Sequence, residues 1–226
     1  MISKYKIAVF DFDGTVMNSA PGVISCIKYA QEKMSNKLLE TEEYYKFLGP
    51  PLQYSFTNFL KMSHEEAEKA IIYYREKYKE SGSFNGSPYN GIVELVEELH
   101  SCGVITAIGS AKPEKILNRI AEHFELDKCF DCITGSQGDG AVGDKDVIIS
   151  LVYDRIKSQH KEFENIPLAE AGIVMIGDRT YDAIGARKLG IDFIGALYGY
   201  GTEEEFTNEG YTNIAKDVQS IKEFFI

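Results

Sequence analysis

The sequence predicts an α/β fold in which a parallel sheet carries helices on both faces and an all-helical segment interrupts the chain after the first strand. From about residue 84 onward, short apolar runs alternate with amphipathic stretches, as in parallel sheets with helical crossovers. Residues 18–83 have helical periodicity and no convincing strand. We therefore expect a core of 1–17 and 84–226 with an inserted helical domain of 18–83.

The first predicted elements are a buried strand and the helices of the insert. The apolar run 6–12, rich in Ile, Val and Phe, predicts the strand. One helix begins near Pro21, whose ring suits a first helical turn. A second covers 52–62, after the helix-breaking segment Gly49-Pro50-Pro51. A third follows Ser63, which has the properties of a helix N-cap because acidic residues come directly after it.

The rest of the chain alternates between helix and strand. Strands are predicted over 104–108, 132–134, 173–176 and 193–197, and helices over 92–100, 113–124, 146–159, 181–189 and 218–225. In parallel sheets, ligands bind beyond the carboxyl ends of the strands. The residues to consider for chemistry are therefore the polar ones at strand ends and in the loops that follow: Asp11, Ser110, Lys145 and Asp178.

Charge and composition narrow the classes of partner. The formal net charge is -11, and an acidic surface repels nucleic acids and anionic lipids. No stretch approaches the roughly 18 apolar residues of a membrane span, and the run 7–10 is too short for a signal peptide. Four cysteines in a chain of 226 residues fit a reducing compartment, so a cytoplasmic location is expected. Cys129 and Cys132 form one C-x-x-C pair, which we interpret as small buried thiols.

Asp11 and Asp13 are the first candidate catalytic residues. Two carboxylates at the end of a buried strand are costly unless a positive group neutralises them, and a hard cation such as Mg²⁺ does so with oxygen ligands. One carboxylate can then attack phosphorus, and the other can move a proton to the leaving oxygen. Gly14 permits a tight turn, and Thr15 can start or cap the next helical turn. An ordinary surface turn is the alternative interpretation.

Four further residues complete the candidate site. Asp178 ends a strong strand and can complete the metal site, whereas Asp182 could hold a metal-bound water, hold a lysine, or simply favour the start of a helix. Ser110 follows a strand and precedes a helix, so its hydroxyl and nearby amides can bind an anion. Lys145 lies at a helix start, where a cation opposes the helix dipole, which indicates another role. Lys112 is interpreted as a solvated loop lysine.

Together, the D-x-D-G-T segment, the serine before a helix, the lysine in a later loop and the G-D-x-x-x-D segment resemble the haloacid dehalogenase-like hydrolases over essentially the whole chain. The resemblance implies a Rossmann-like doubly wound core with Asp11 as nucleophile and Asp13 as general acid/base. It implies Mg²⁺ held by Asp11, the Asp13 backbone carbonyl and Asp178, with Asp182 in support. The phosphate-binding positions that it implies are Gly14, Thr15, Ser110, Ala111 and Lys145.

The insert and several loops indicate a subgroup. Residues 18–83 are similar to the family's helical cap of the first type, which closes over the site and reads the leaving group. The segments 18–22, 47–52, 191–195 and 198–201 look like those of phosphoglycolate phosphatases and of relatives called 5′-nucleotidases. Two features depart from that pattern: Ala111 replaces the usual Asn or Ser, and the Lys-Pro pair common in many phosphoglycolate phosphatases is absent.

The predicted function is hydrolysis of a small phosphorylated metabolite by a monomer or homodimer. Phosphoglycolate-like substrates come first, and nucleoside monophosphates second. The alternatives are a sugar phosphomutase of the same family and a relative that has lost catalysis. A relative without catalysis should lack the nucleophile, a metal-binding aspartate or the lysine, and all of these are present in this sequence. Asp13 argues against dehalogenase chemistry, which lacks the second carboxylate. Aromatic residues of the insert could stack a nucleobase, but at helical spacing core packing is the simpler explanation.

Overall fold

The computed structural model describes residues 3–137 and 144–225, and in it the chain forms two units. One unit combines Met1–Met17 with Pro88–Ile226, and the other is Asn18–Ser87. The sequence predicts the second boundary after residue 83, whereas the structure has it after Ser87. The physical reason is that the short helical turn Gly82–Phe84 packs against the first helix of the insert.

Helices and strands alternate in the larger unit, whereas the smaller unit contains three α-helices. The strands are β1 Ile7–Phe10, β2 Met17–Asn18, β3 Ser87–Pro88, β4 Ile105–Pro113, β5 Cys132–Ser136, β6 Ile173–Gly177, β7 Asp192–Ala196 and β8 Ile214–Ala215. The α-helices are α1 Ala20–Lys33, α2 Leu52–Phe59, α3 His64–Glu80, α4 Ile92–Ser101, α5 Glu114–His123, α6 Lys145–Gln159, α7 Thr180–Leu189 and α8 Glu203–Asn208. Strands β2 and β3 form a separate two-stranded sheet.

The main sheet has six strands in the order β5-β4-β1-β6-β7-β8, and every neighbouring pair is parallel. This confirms the predicted α/β class with a parallel sheet. Phe10, at the end of β1, lies in register with Ile108 of β4 and Ile176 of β6. The carboxyl ends of these three central strands therefore meet at one edge, where the loops that follow them come together.

Strand β1 is buried along its whole length because helices cover both faces of the sheet. On one face, Ile7 and Val9 join a core cluster with side chains of α6 and α7. On the other, the Phe10 ring meets the Phe130 ring edge-on at 5.7 Å. The apolar run that predicted this strand is thus a run of core residues, and it holds the position of Asp11 rigidly.

The smaller unit is entirely helical in its described elements, apart from the ends of β2 and β3. Ser63 caps α3 as predicted: its hydroxyl accepts a hydrogen bond from the Glu66 amide, and the Glu66 carboxylate accepts one from the Ser63 amide. Of the aromatic residues of this unit, Phe47 and Phe56 are buried, which agrees with core packing. Tyr45 and Tyr54 are more than half exposed, at 55% and 52%.

Several local predictions are wrong. The final helix is a short 3₁₀ segment, Gln219–Phe224, rather than an α-helix. The short elements α8 and β8 were not predicted from the sequence, because Phe206 and Ala215 become core residues only through packing on β7.

Cys132 is buried and Cys129 is half-buried, and both are free thiols. No helix in the described ranges has the length and apolar character needed to cross a membrane.

Candidate active site

Asp11 directly follows β1, and its backbone is fixed to the neighbouring strand because its amide donates to the Ile176 carbonyl at 2.8 Å. The chain then turns sharply, with the Met17 amide donating to the Phe12 carbonyl at 2.8 Å. Gly14 has φ +85°, a conformation that favours glycine. A Cβ atom at Gly14 would also collide with the Asp178 carboxylate. A turn is present, but it is largely buried rather than an ordinary surface turn, and it allows the two loops to approach.

Lys145 is the first residue of α6, and its side chain reaches Asp11. Its Nζ donates to Asp11 Oδ1 at 2.7 Å and to the Gly109 carbonyl at 3.1 Å, and it lies 2.8 Å from Asp182 Oδ1. The lysine side chain is 7% exposed. A buried ammonium group requires such compensation. These contacts explain why a lysine is found at a helix N-terminus, where the dipole disfavours it.

Asp182 combines two of the roles that the sequence left open. Its Oδ1 lies beside Lys145 Nζ, and its Oδ2 accepts a hydrogen bond from the Arg179 amide at 3.1 Å, at the start of α7. A Cβ atom at Gly177 would collide with this carboxylate, so the close approach depends on a glycine there. Asp182 thus holds the lysine and caps a helix at the same time.

Asp178 follows β6 and is completely buried. Its Oδ2 accepts a hydrogen bond from the Tyr200 amide at 2.8 Å. Its Oδ1 is also buried and has no hydrogen-bond partner in the described part of the chain. A buried carboxylate oxygen without a donor is costly, and a cation would remove that cost.

Asp11, Asp178 and Asp182 form a cluster in which one oxygen of each lies within 4.8 Å of the others. Lys145 is the cation that forms ion pairs with this cluster among the described residues. When all three carboxylates are ionised, they and the one ammonium carry an excess of two negative charges. Burial raises the pKa of Asp11 to about 7, although Lys145 opposes this. Burial, with Asp11 and Asp182 nearby, raises the pKa of Asp178 well above its usual range.

Asp13 pairs with Lys112, whose Nζ lies 3.0 Å from Asp13 Oδ2. The lysine side chain is only 9% exposed, so the interpretation of Lys112 as a solvated loop lysine is wrong. The tertiary reason is that β4 continues past Ser110, which carries Lys112 towards the loop after β1. A lysine two residues after a serine at a strand end was the available signal for this ion pair.

Ser110 is 2% exposed and lies within β4. The expectation that Ser110 follows a strand is wrong, because β4 runs on to Pro113; a helix does come next, and it begins at Glu114. The pairing with β5 shifts register between Gly109 and Pro113, an irregularity that can re-aim side chains near a site. The Ser110 hydroxyl oxygen accepts from the Lys112 amide at 3.2 Å, which leaves its proton available for a ligand.

Thr15 and Ala111 complete the predicted set. Thr15 is buried, and its carbonyl accepts a hydrogen bond from the Tyr198 hydroxyl at 2.9 Å. The expectation that Thr15 starts or caps the next helical turn is wrong, because Ser19 occupies the N-cap position of α1. Ala111 is half-buried beside Ser110. The structure thus brings together the loops after β1 and β6, the carboxyl-terminal part of β4 and the start of α6, while the chemical roles of these residues stay predictions.

Comparison with known proteins identifies the family. A family model described as haloacid dehalogenase-like hydrolase matches residues 8–196, a range that includes every residue of the candidate site. The chain is also similar to a solved structure of a predicted phosphatase from Clostridium acetobutylicum, with 34% identity and a TM-score of 0.82, and the match covers 97% of each chain.

Curated relatives carry several names. A 5′-nucleotidase from Pseudomonas aeruginosa is 29% identical over 97% of this chain and 95% of its own. A tyrosine-protein kinase, PtkA, from Mycobacterium tuberculosis is 30% identical over 96% of this chain and 70% of its own. A phosphoglycolate phosphatase from Vibrio parahaemolyticus is 25% identical over 96% and 95%. The family model and the similarity over nearly the whole chain confirm the predicted resemblance, and this protein belongs to the haloacid dehalogenase-like hydrolases.

Proposed function

We propose that this protein is a divalent-cation-dependent phosphatase that hydrolyses a small phosphomonoester through a phosphorylated Asp11. Membership of the family and relatives named as phosphatases support a phosphoric monoester hydrolase. The observation that carries the proposal is the contact of the buried Lys145 ammonium with Asp11 Oδ1 at 2.7 Å, beside a cluster of further carboxylates. That arrangement orients one oxygen of a carboxylate and provides positive charge for an incoming phosphoryl group.

Asp11 acts as the nucleophile. Its Oδ1 is held by Lys145, while its Oδ2 accepts no hydrogen bond from the described residues. Attack of Oδ2 on phosphorus forms a new P–O bond and breaks the bond to the leaving oxygen, which takes a proton from the Asp13 carboxyl group. Asp13 then accepts a proton from water, and that water attacks the aspartyl-phosphate. The P–O bond to Asp11 breaks, which releases inorganic phosphate and restores the carboxylate.

The residues present fit a divalent cation. The buried, unpartnered Oδ1 of Asp178 and the excess of two negative charges in the cluster favour a hard cation with oxygen ligands. Asp11, Asp178 and the Asp13 backbone carbonyl would hold Mg²⁺, and Asp182 would support the site through Lys145. When bound, the cation supplies positive charge that stabilises the phosphoryl oxygens during transfer.

The phosphate is bound by the same unit of the chain. Lys145 supplies an ammonium group and Ser110 a hydroxyl proton that its own hydrogen bond leaves free. The backbone around Thr15 and Ala111 provides the remaining wall, and Gly14 keeps that wall free of a side chain. We assign to the helical unit, Asn18–Ser87, the role of a cap that selects the leaving group.

Phosphoglycolate-like esters are the first substrate class, which the phosphoglycolate phosphatase relative supports. Nucleoside monophosphates are the second candidate. The 5′-nucleotidase relative supports them, and so do Tyr45 and Tyr54 in the helical unit, which are 55% and 52% exposed and offer ring faces on which a base can stack.

A phosphate-release screen tests the proposal. It compares phosphoglycolate, nucleoside monophosphates and hexose phosphates, with sugar-phosphate isomerisation followed in parallel to detect a mutase. A separate assay with ATP and a tyrosine-containing peptide measures phosphate transfer to the peptide, because one relative is named as a tyrosine-protein kinase. Asp11→Asn should abolish phosphate release and the acid-stable trapping of a phosphoenzyme, whereas Asp127→Asn, a change to an exposed aspartate, should alter neither. Turnover by Asp11→Asn at the wild-type rate would refute the role of Asp11.

A further inference from the structure

We propose that the loop Tyr198–Gly201 sets the affinity of the site for its divalent cation by holding the Asp178 carboxylate in one orientation. This segment, the YGYG loop, is separated from the end of β7 by one residue, Leu197. The inference rests on the proposed function, in which Asp178 binds the cation. No residue of the loop would touch the cation, so these are positioning residues.

The first support is the way in which the loop divides the two oxygens of Asp178. The Tyr200 amide donates to Oδ2 at 2.8 Å, whereas Oδ1 is buried and has no hydrogen-bond partner among the residues the structure describes. A carboxylate held by one oxygen cannot rotate without breaking that hydrogen bond. The other oxygen is therefore presented in a fixed direction, as a ligand for a cation should be.

The second support is the close approach of two glycines to Asp178. A Cβ atom at Gly199 would collide with the Asp178 Cβ and the Gly14 carbonyl, and one at Gly201 would collide with the Asp178 carbonyl. Neither glycine has a positive φ, so an alanine would be acceptable to the local backbone. The glycines are needed because the backbone of the YGYG loop lies directly against this aspartate.

The third support is that the same loop contacts the turn after β1. The Tyr198 hydroxyl donates to the Thr15 carbonyl at 2.9 Å. A Cβ atom at Gly14 would lie 2.8 Å from Cδ2 of Tyr200, so the Tyr200 ring packs against that turn. The YGYG loop therefore touches both strand-end loops that supply the proposed cation ligands. The pairing of β1 with β6 brings Asp11 and Asp178 close together, and the YGYG loop packs against both of the loops that carry them.

Residues that orient metal ligands typically change metal affinity by about 10–100-fold when they are replaced. Gly199→Ala and Gly201→Ala push directly on Asp178, so we expect losses of affinity in that range. Tyr198→Phe removes only the bond to Thr15 and keeps the loop backbone, so we expect a smaller loss of about 3- to 10-fold, at or below the low end of that range.

The experiment measures binding of Mn²⁺ alone, as a probe for Mg²⁺, to the full chain after treatment with EDTA and its removal. Free Mn²⁺ is quantified by electron paramagnetic resonance, and the melting temperature of each metal-free variant is recorded by circular dichroism. Two control variants match the changes. Gly195→Ala crowds the Phe206 ring, which it would approach to 3.0 Å, and Tyr153→Phe removes a hydroxyl bond to the Ile166 carbonyl.

The proposal predicts that the three loop variants bind Mn²⁺ more weakly, while the two controls bind it as the wild type does, even if Gly195→Ala melts earlier. Wild-type affinity in folded Gly199→Ala and Gly201→Ala would overturn it. If both glycine variants fail to fold, Tyr198→Phe decides, and wild-type affinity there overturns the proposal. Asp178→Asn distinguishes a failure of the proposed cation site from a failure of the proposed role of the loop. If Asp178→Asn binds Mn²⁺ with full affinity, the cation site itself is wrong. If Asp178→Asn binds Mn²⁺ weakly but the loop variants bind it as the wild type does, only the role of the loop is refuted.

Discussion

Replacing Lys145 with methionine tests whether this lysine stabilises a cluster of buried carboxylates. Methionine keeps a long, flexible apolar chain, so it removes the ammonium group but little volume. In the native protein that group lies 2.7 Å from Asp11 Oδ1 and 2.8 Å from Asp182 Oδ1, and its side chain is 7% exposed. Removing it leaves the carboxylates of Asp11, Asp178 and Asp182 close together without the ion pair.

The expected loss of folding free energy in Lys145→Met follows from the burial of the ion pair. Removing one partner of a buried ion pair typically costs about 3–5 kcal/mol of folding free energy, because the other charge stays buried. Lys188→Met is the matched control, since Lys188 pairs with Asp146 at the similar distance of 2.9 Å but is 52% exposed. Solvent screens exposed pairs, so this control should change stability little.

The assay is urea unfolding followed by circular dichroism, at pH 8 with EDTA and again at pH 5. Because burial raises the pKa of Asp11 to about 7, that carboxyl group takes up a proton at pH 5, and the cost of Lys145→Met should shrink there. In the double variant with Asp182→Asn, the loss should be smaller than the sum of the two single losses by about 0.5–3 kcal/mol. If Lys145→Met loses no more stability at pH 8 than Lys188→Met, the electrostatic reasoning is refuted.

Three further predictions concern the same unit. The metal-free protein should lose stability as the pH rises from about 4 to about 7, because raised pKa values let folded Asp11 and Asp178 keep protons that the unfolded chain has released. The free energy of unfolding should fall by about 1.4 kcal/mol per pH unit for each such proton, and Mg²⁺ should make this fall smaller. A rise in stability with pH in EDTA would contradict the burial argument. Asp13→Asn should lower kcat by about 10²–10⁴-fold, measured by phosphate release, and an unchanged rate would exclude Asp13 from proton transfer. Glu114→Gln should cost about 1 kcal/mol in urea unfolding, because Glu114 loses its ion pair with Arg155 at 2.8 Å, and no change would mean that this pair is fully screened by solvent.

Much of the core could be predicted because its signals are local. The apolar runs of β1 and β6 are buried strands, and each is followed by an aspartate at the same edge of the sheet. Parallel pairing places those ends side by side, so Asp11 and Asp178 had to come close once the strands were neighbours. Ser63 could be recognised as a helix cap for the same reason, since its hydrogen bonds are made within three residues.

Other features depend on contacts between distant segments. β4 extends beyond Ser110 because β5 pairs with it again at Pro113, which no pattern within 104–108 indicates. That extension buries Lys112 and directs it to Asp13, so a residue that looked solvated is part of the site. The short strand β8 pairs with β7, a contact between segments about twenty residues apart that no local pattern indicates.

The order of most strands and helices, and the kinds of side chain near the strand ends, could be read along the chain, and the order of the motifs indicated the family. The partners of those side chains became known from the folded structure: Lys145 lies between Asp11 and Asp182, and the YGYG loop holds Asp178. The physical reason is the distance along the chain over which each kind of interaction acts. Periodicity and capping act over a few residues and can be read along the chain, whereas the partner of a buried charge is set by which strands become neighbours in the sheet.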